Sequence, residues 1–215
     1  MTSGSSWVDR LAAGVAMGFS RAVEAVRGRE AEIQLVISAF ESVVPDGQAV
    51  FAAGPVSSGI RCLALLREHR VKSVSELITC IGEAKFIDLV VQPNLEDGHR
   101  FAAALRDAGH AYVIFTGPLT HPNWRFDDYI KVCFRLLENK CKSIHFNRDW
   151  EYSRGSVIEF KLALSLGLPM YSETGSALTP RAARRLLERA KESLTQAAVE
   201  AQVWQTALDA LLVEC

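Results

Sequence analysis

Between residues 49 and 171, short apolar runs alternate with segments of helical period, and this alternation constrains the chain more than any other feature. Ala49–Ala53 is a five-residue apolar run that ends in Gly54-Pro55. Phe86–Val91 leads into Pro93-Asn94, Ala111–Phe115 into Gly117-Pro118, and Ser143–Phe146 into Asn147, while Leu168–Tyr171 closes the series. Each run reads as a buried strand entering a tight loop. The spacing predicts helices at 60–69, 74–84, 98–108, 127–139 and 156–166. In the third of these Phe101, Ala104, Leu105 and Ala108 share a face and Gly109 is the stop; Gly167 ends the last. Strands that alternate with helices predict an α/β fold: a flavodoxin- or Rossmann-like parallel sheet of about five strands, with helices on both faces.

Helical extensions flank this unit. Residues 1–6 read as a disordered start, followed by helices near 7–27 and 31–44. Trp7, Leu11, Val15, Phe19, Val23 and Val26 recur at helical spacing, which suits packing on the body or on a partner subunit better than lying on a membrane. Thr179-Pro180 suits a helix start, and the apolar stripe Leu186, Leu187, Ala190, Leu194, Ala197, Ala201, Trp204, Leu208, Leu211 and Leu212 predicts one long helix over 180–213. The organisation expected is a helical extension over 1–45, an α/β domain over 46–175 and a long helix within 176–215.

Charge and cysteine content narrow the function classes. The 24 basic and 25 acidic residues give a net charge of −1, without the basic excess of a nucleic-acid polymer binder. No apolar run reaches the roughly 18 residues of a membrane span. The five cysteines form no C-x-x-C pair, so reduced thiols and a cytoplasmic location are expected, with Cys62, Cys80 and Cys133 as small core residues. His99, His110, His121 and His145 are scattered, and neither a metal site nor an organic cofactor is expected.

In an open parallel sheet, ligands bind beyond the carboxyl ends of the strands. The loops there are Gly54–Gly59, which holds Ser57 and Ser58, then Pro93–His99 with Asn94, then Gly117–Thr120, and finally Asn147–Gly155. The fourth carries the strongest signal. Ser153, Arg154, Gly155 and Ser156 stand where a helix begins, and its free N–H groups and dipole favour an anion. Glu159 lies one turn further on, among Val157, Ile158 and Phe160. A carboxylate there can meet positive charge developing one sugar away from a phosphate. The same residues also fit a plain N-cap at Ser153 and a capping-box or solvent-facing acid at Glu159.

Asp149-Trp150-Glu151-Tyr152-Ser153-Arg154-Gly155-Ser156-Val157-Ile158-Glu159, followed by Ala163 and Gly167-Leu168-Pro169, resembles the signature of the nucleoside 2-deoxyribosyltransferase-like superfamily. It is closest to the superfamily's phage and bacterial branch, and the Ser-x-Gly-x-x-x-Glu spacing is similar to that of nucleoside-monophosphate N-glycosidases. The resemblance covers roughly residues 86–173. It implies that Glu159 attacks the anomeric carbon, or stabilises its cationic state, as the base departs. It implies that Ser153 and the N–H groups of Gly155 and Ser156 hold a 5′-phosphate, and that Asp127 or Asp128, or alternatively Asp149, protonates the base. Asp127 and Asp128 also suit helix capping. Trp124, Tyr129, Trp150 and Tyr152 are candidates to stack on the base. Two departures stand out: Cys141-Lys142-Ser143 replaces the Asp common at that strand start, and Ser156 replaces Ala or Thr. One of the loops 54–59 and 93–98 is an insertion relative to the family.

The expectation is an N-glycosidic bond hydrolase for a nucleoside or nucleoside 5′-monophosphate. The alternatives are a 2-deoxyribosyltransferase that exchanges bases and a non-catalytic nucleotide-binding or regulatory protein. A weaker reading makes the helices themselves an interaction module. Members of the resembled superfamily complete their pockets with a neighbouring subunit, so a homodimer or higher homo-oligomer is expected.

Overall fold

The computed structural model describes residues 28–197, 199–200 and 202–213. The expected helix at 7–27 and the start at 1–6 lie outside the described residues, as does Cys215. The first described helix, α1, covers 28–43. The elements that follow are β1 (Ala49–Ala53), α2 (Ile60–His69), α3 (Val74–Ile81), α4 (Glu83–Phe86), a π turn (Ile87–Val91), α5 (Gln92–Asp107) and β2 (Val113–Ile114). After them come α6 (Phe126–Lys140), β3 (Cys141–Phe146), a 3-10 turn (Trp150–Tyr152), α7 (Arg154–Ser165), β4 (Met170–Tyr171), α8 (Pro180–Gln196) and α9 (Gln202–Val213).

The four strands form one parallel sheet in the order β2-β1-β3-β4. The chain leaves β1 to pair β2 on one side and returns to pair β3 on the other. A crevice therefore opens above the carboxyl ends of β1 and β3, the switch point of a flavodoxin-like order. Successive β1 side chains face opposite layers. Val50 and Ala52 pack on Phe101, Ala102 and Leu105 of α5. Ala49, Phe51 and Ala53 enter the main core with Ile33 and Ile37 of α1, Val132 and Leu136 of α6, Phe160 of α7, Leu187 of α8 and Leu211 of α9. Helices thus cover both faces, and the terminal helices share the core of the sheet.

Three expectations need correction. Phe86–Val91 is helical, so the sheet has four strands where about five were expected. Phe86, Val90, Asn94, Gly98 and Phe101 or Ala102 are buried at helical intervals, which two-residue alternation cannot satisfy. Pro93, which suggested a loop, lies in the first turn of α5 directly after the π turn, where Gln92 N–H bonds Ile87 O; a π turn absorbs the donor that proline lacks. Second, the single helix expected at 180–213 is a hairpin. The C-cap N–H of Ala197 bonds Leu194 O, and Arg184 of α8 donates to Leu211 O of α9 at 3.3 Å. Third, Cys80 is exposed, whereas Cys62, Cys133 and Cys141 are buried; all four are free thiols.

Two glycines shape the space beside the crevice. A Cβ at either Gly98 or Gly117 would collide with the Phe115 ring, so both positions exist to seat that ring against α5.

Candidate active site

The crevice holds a cavity of about 350 Å³ that reaches Glu159. Its walls come from Gly54, Ser57 and Ser58 after β1, Phe115 and Thr116 after β2, Tyr129 and Cys133 of α6, and Ser153, Gly155, Ser156 and Glu159 around the start of α7. The volume lies within the range of small-molecule sites. Among the described residues the lining includes no lysine, arginine or histidine, and Glu159 is its one carboxylate.

One part of the wall is the serine turn that opens α7. Ser153 caps α7 by accepting from Ser156 N–H at 3.4 Å, and Ser58 Oγ donates to Ser153 Oγ at 3.1 Å. The two loops are thereby tied together. Ser156 is 1% exposed, and its buried hydroxyl has no partner. A buried hydroxyl left unpaired costs about 1–3 kcal/mol, so its presence here favours a ligand that supplies the missing bond. The first-turn N–H groups of α7 point the same way, with the positive end of the helix dipole behind them.

Another part of the wall carries one acid. Glu159 lies six residues beyond Ser153, about 9 Å along the helix axis at 1.5 Å per residue. It is 8% exposed. Burial pushes its carboxyl up to about 7, opposed by the Cys133 thiol on the same cavity wall. A solvent-facing or capping role for Glu159 does not survive this placement. The capping box of the region belongs to α6, where Asp128 accepts from Arg125 N–H at 2.8 Å.

The other residues singled out by sequence separate into those at the cavity and those beside it. Asp128 is buried but committed to that cap and to Arg29 at 3.6 Å; Asp127 is exposed; neither lines the cavity. Asn94 stands behind the β1–α2 loop. Its Nδ2 donates to Val56 O at 2.8 Å and Ser58 O at 2.9 Å, and its Oδ1 accepts from Arg61 at 2.7 Å. It holds the serine loop in shape. The 54–59 loop therefore lines the Glu159 cavity, and the 93–98 segment braces it from behind. Trp150 is buried among Phe146 and Phe160, with ring centroids 4.4 and 5.2 Å away, and is core. Arg154 sits outside the cavity over the Phe126 ring, 4.7 Å from its centroid. Tyr129 does present its ring to the cavity, while its hydroxyl is held by the backbone of His121. Tyr152 and Arg154 line an adjoining cavity that shares Ser57, Ser58 and Gly155 with the first. Asp149 lines a further, charged crevice. His145 lies on the α5 face of the sheet, stacked on Tyr171 at 4.6 Å, and burial lowers its pKa to about 4. Among the described residues no group of three or more His, Cys, Asp or Glu is placed to hold a metal ion, and no helix is long and apolar enough to cross a membrane.

Several cavity residues, Cys133, Thr116 and Phe115 among them, were not apparent from sequence as site residues. Cys133 reads as one more apolar position of α6, and Thr116 as an ordinary loop residue. The weak signal for Cys133 is its place one helical turn after Tyr129.

No curated protein and no solved structure matches the chain. Residues 90–172 are similar to one protein family, described as a domain of unknown function (DUF4406), over a stretch that holds Cys133, the 153–156 turn and Glu159 but not β1 or its loop.

Proposed function

We propose that this protein cleaves the N-glycosidic bond of a nucleoside or nucleoside 5′-monophosphate, with Glu159 as the nucleophile. The observation that carries this reading is a single buried carboxylate on the wall of a cavity of small-molecule size, about 9 Å along α7 from the Ser153 cap. A 5′-phosphate on the α7 N–H groups, Ser153 and Ser156 puts the sugar beside Glu159 and the base toward Phe115 and Tyr129. The ionised carboxylate attacks C1′. The C1′–N bond breaks and the base leaves with its electron pair, taking a proton. Water then attacks C1′ of the glycosyl ester, releases the sugar and returns the carboxylate. Among the described residues no second carboxylic acid lines the cavity, so the departing base takes its proton from solvent or from a neighbouring copy of the chain. Because the Glu159 carboxyl titrates near 7, the nucleophilic form grows as pH rises through neutrality.

The lack of a second acid in the cavity also favours one other reading, a nucleotide-binding protein that does not cleave its ligand. One experiment separates the two. The protein is incubated with nucleosides and nucleoside monophosphates, with and without a free acceptor base, and base release is followed by chromatography. The expected result is release that falls by at least about 10³-fold in Glu159→Gln. Base exchange in the presence of acceptor assigns a transferase. Ligand binding with no release assigns the non-catalytic reading.

A further inference from the structure

Cys133 stands on the α6 wall of the cavity, 6% exposed, and the reaction outlined above makes no use of it. Its thiol has a polar neighbour on each side. Thr116 Oγ1, just past the end of β2, lies 3.5 Å from Sγ, and the Glu159 carboxylate faces it from α7. All three side chains line the same cavity.

The number of available protons fixes the direction of this chain. Burial and the nearby carboxylate both push the Cys133 thiol well above its ordinary range, so it keeps its proton. An ionised carboxylate only accepts. With Glu159 ionised, the S–H bond is therefore directed at Glu159, and the Thr116 hydroxyl donates to the sulfur. Tyr129 is the other titratable side chain on the cavity wall. The loops after β1 and β2 and the π turn contribute none, and α7 contributes only Glu159.

We propose that Cys133, braced by Thr116, is the positioning residue for Glu159: its thiol donates to the carboxylate, aims it at the ligand space and favours its ionised form. This rests on Glu159 being the reacting group. Serine keeps a donor at the same place, alanine removes it, and valine at 116 removes only the brace.

The test titrates the Glu159 carboxyl by carbon-13 NMR in the ligand-free protein, which needs no turnover, and adds a pH–rate profile. In Cys133→Ala the titration moves up, with the ionisation constant falling at least about threefold, a shift of half a pKa unit. Cys133→Ser stays near the wild-type value, and Thr116→Val moves less than Cys133→Ala. The rising limb of the pH–rate profile follows the same order. In Cys133→Ala kcat drops roughly tenfold or more with KM nearly unchanged, as expected for a misaimed nucleophile. Circular dichroism checks that each variant is folded, and Thr116→Val carries the test if Cys133→Ala is not. An unmoved titration in folded Cys133→Ala or Thr116→Val overturns the proposal. A moved titration without base release by any variant upholds the coupling and removes the reaction. Glu159-dependent release with an unmoved titration does the reverse.

Discussion

Two crevices flank the β1–α2 loop, and they differ in how their polar groups are satisfied. The larger, about 630 Å³, is lined by Arg61, Asn94, Asp97, Arg100, Arg148, Asp149 and Glu173. Its charges face one another: Arg61 pairs with Asp97 at 2.7 Å, and Arg100 pairs with the same carboxylate. The smaller holds one carboxylate without a counter-charge, one orphaned hydroxyl and a helix start. Solvent-exposed pairs satisfy and screen themselves, and are worth little in stability. A desolvated acid and an unpaired hydroxyl persist only where something compensates for them, and in an enzyme the compensation is function.

That contrast makes predictions of graded size. Glu159→Gln should stabilise the protein at pH 8 by up to about 3 kcal/mol, read as a shift in the urea midpoint. The sign follows from the raised carboxyl. The folded protein holds the proton up to about pH 7 while the unfolded chain loses it near 4.5. Wild type therefore loses stability as pH climbs from about 4.5 through 7, and Gln does not; the gain should vanish at pH 4. A gain that persists at pH 4, or none at pH 8, would mean the carboxylate is not buried as described.

Asn94→Ala should cost about 1–3 kcal/mol, because Val56 O and Ser58 O lose their donor, and it should weaken nucleotide binding in the smaller crevice through the slackened serine loop. Calorimetry measures the first effect and ligand titration the second. In the charged crevice, Asp97→Asn should change stability by less than about 0.5 kcal/mol and leave base release within twofold. The Arg61 and Arg100 pairs hold Asp97 below the usual carboxylate range despite its partial burial, but they lie open to solvent and salt. A large loss of base release from Asp97→Asn would move the functional site across the loop.

Much of the fold was legible because local punctuation agreed with burial. β1 and α2 fall where Gly54-Pro55 and the change of period place them. The errors have physical causes. A short apolar run such as Phe86–Val91 serves equally as a buried strand or as one side of a helix, and the polar Asn94 and small Gly98 at inward positions hid the helical period beyond it. The segment between α8 and α9 carries neither glycine nor proline, so tertiary packing of α8 against α9, and no local signal, breaks that helix. For the site, Ser153 and Glu159 could be read from spacing at a helix start. What sequence could not supply was which acid lines the cavity: Asp128 and Glu159 are both buried acids near helix starts, and only the cap geometry of α6 tells them apart.

The claim under all of this is that the Glu159 carboxylate forms a bond to a sugar. It is tested by quenching the protein during turnover of a nucleoside monophosphate, digesting it and measuring the mass of the peptide that contains residue 159. The result expected is a glycosyl ester on Glu159 that appears together with free base and is absent from Glu159→Gln. Unmodified peptide during turnover, with base release undiminished in Glu159→Gln, would contradict it.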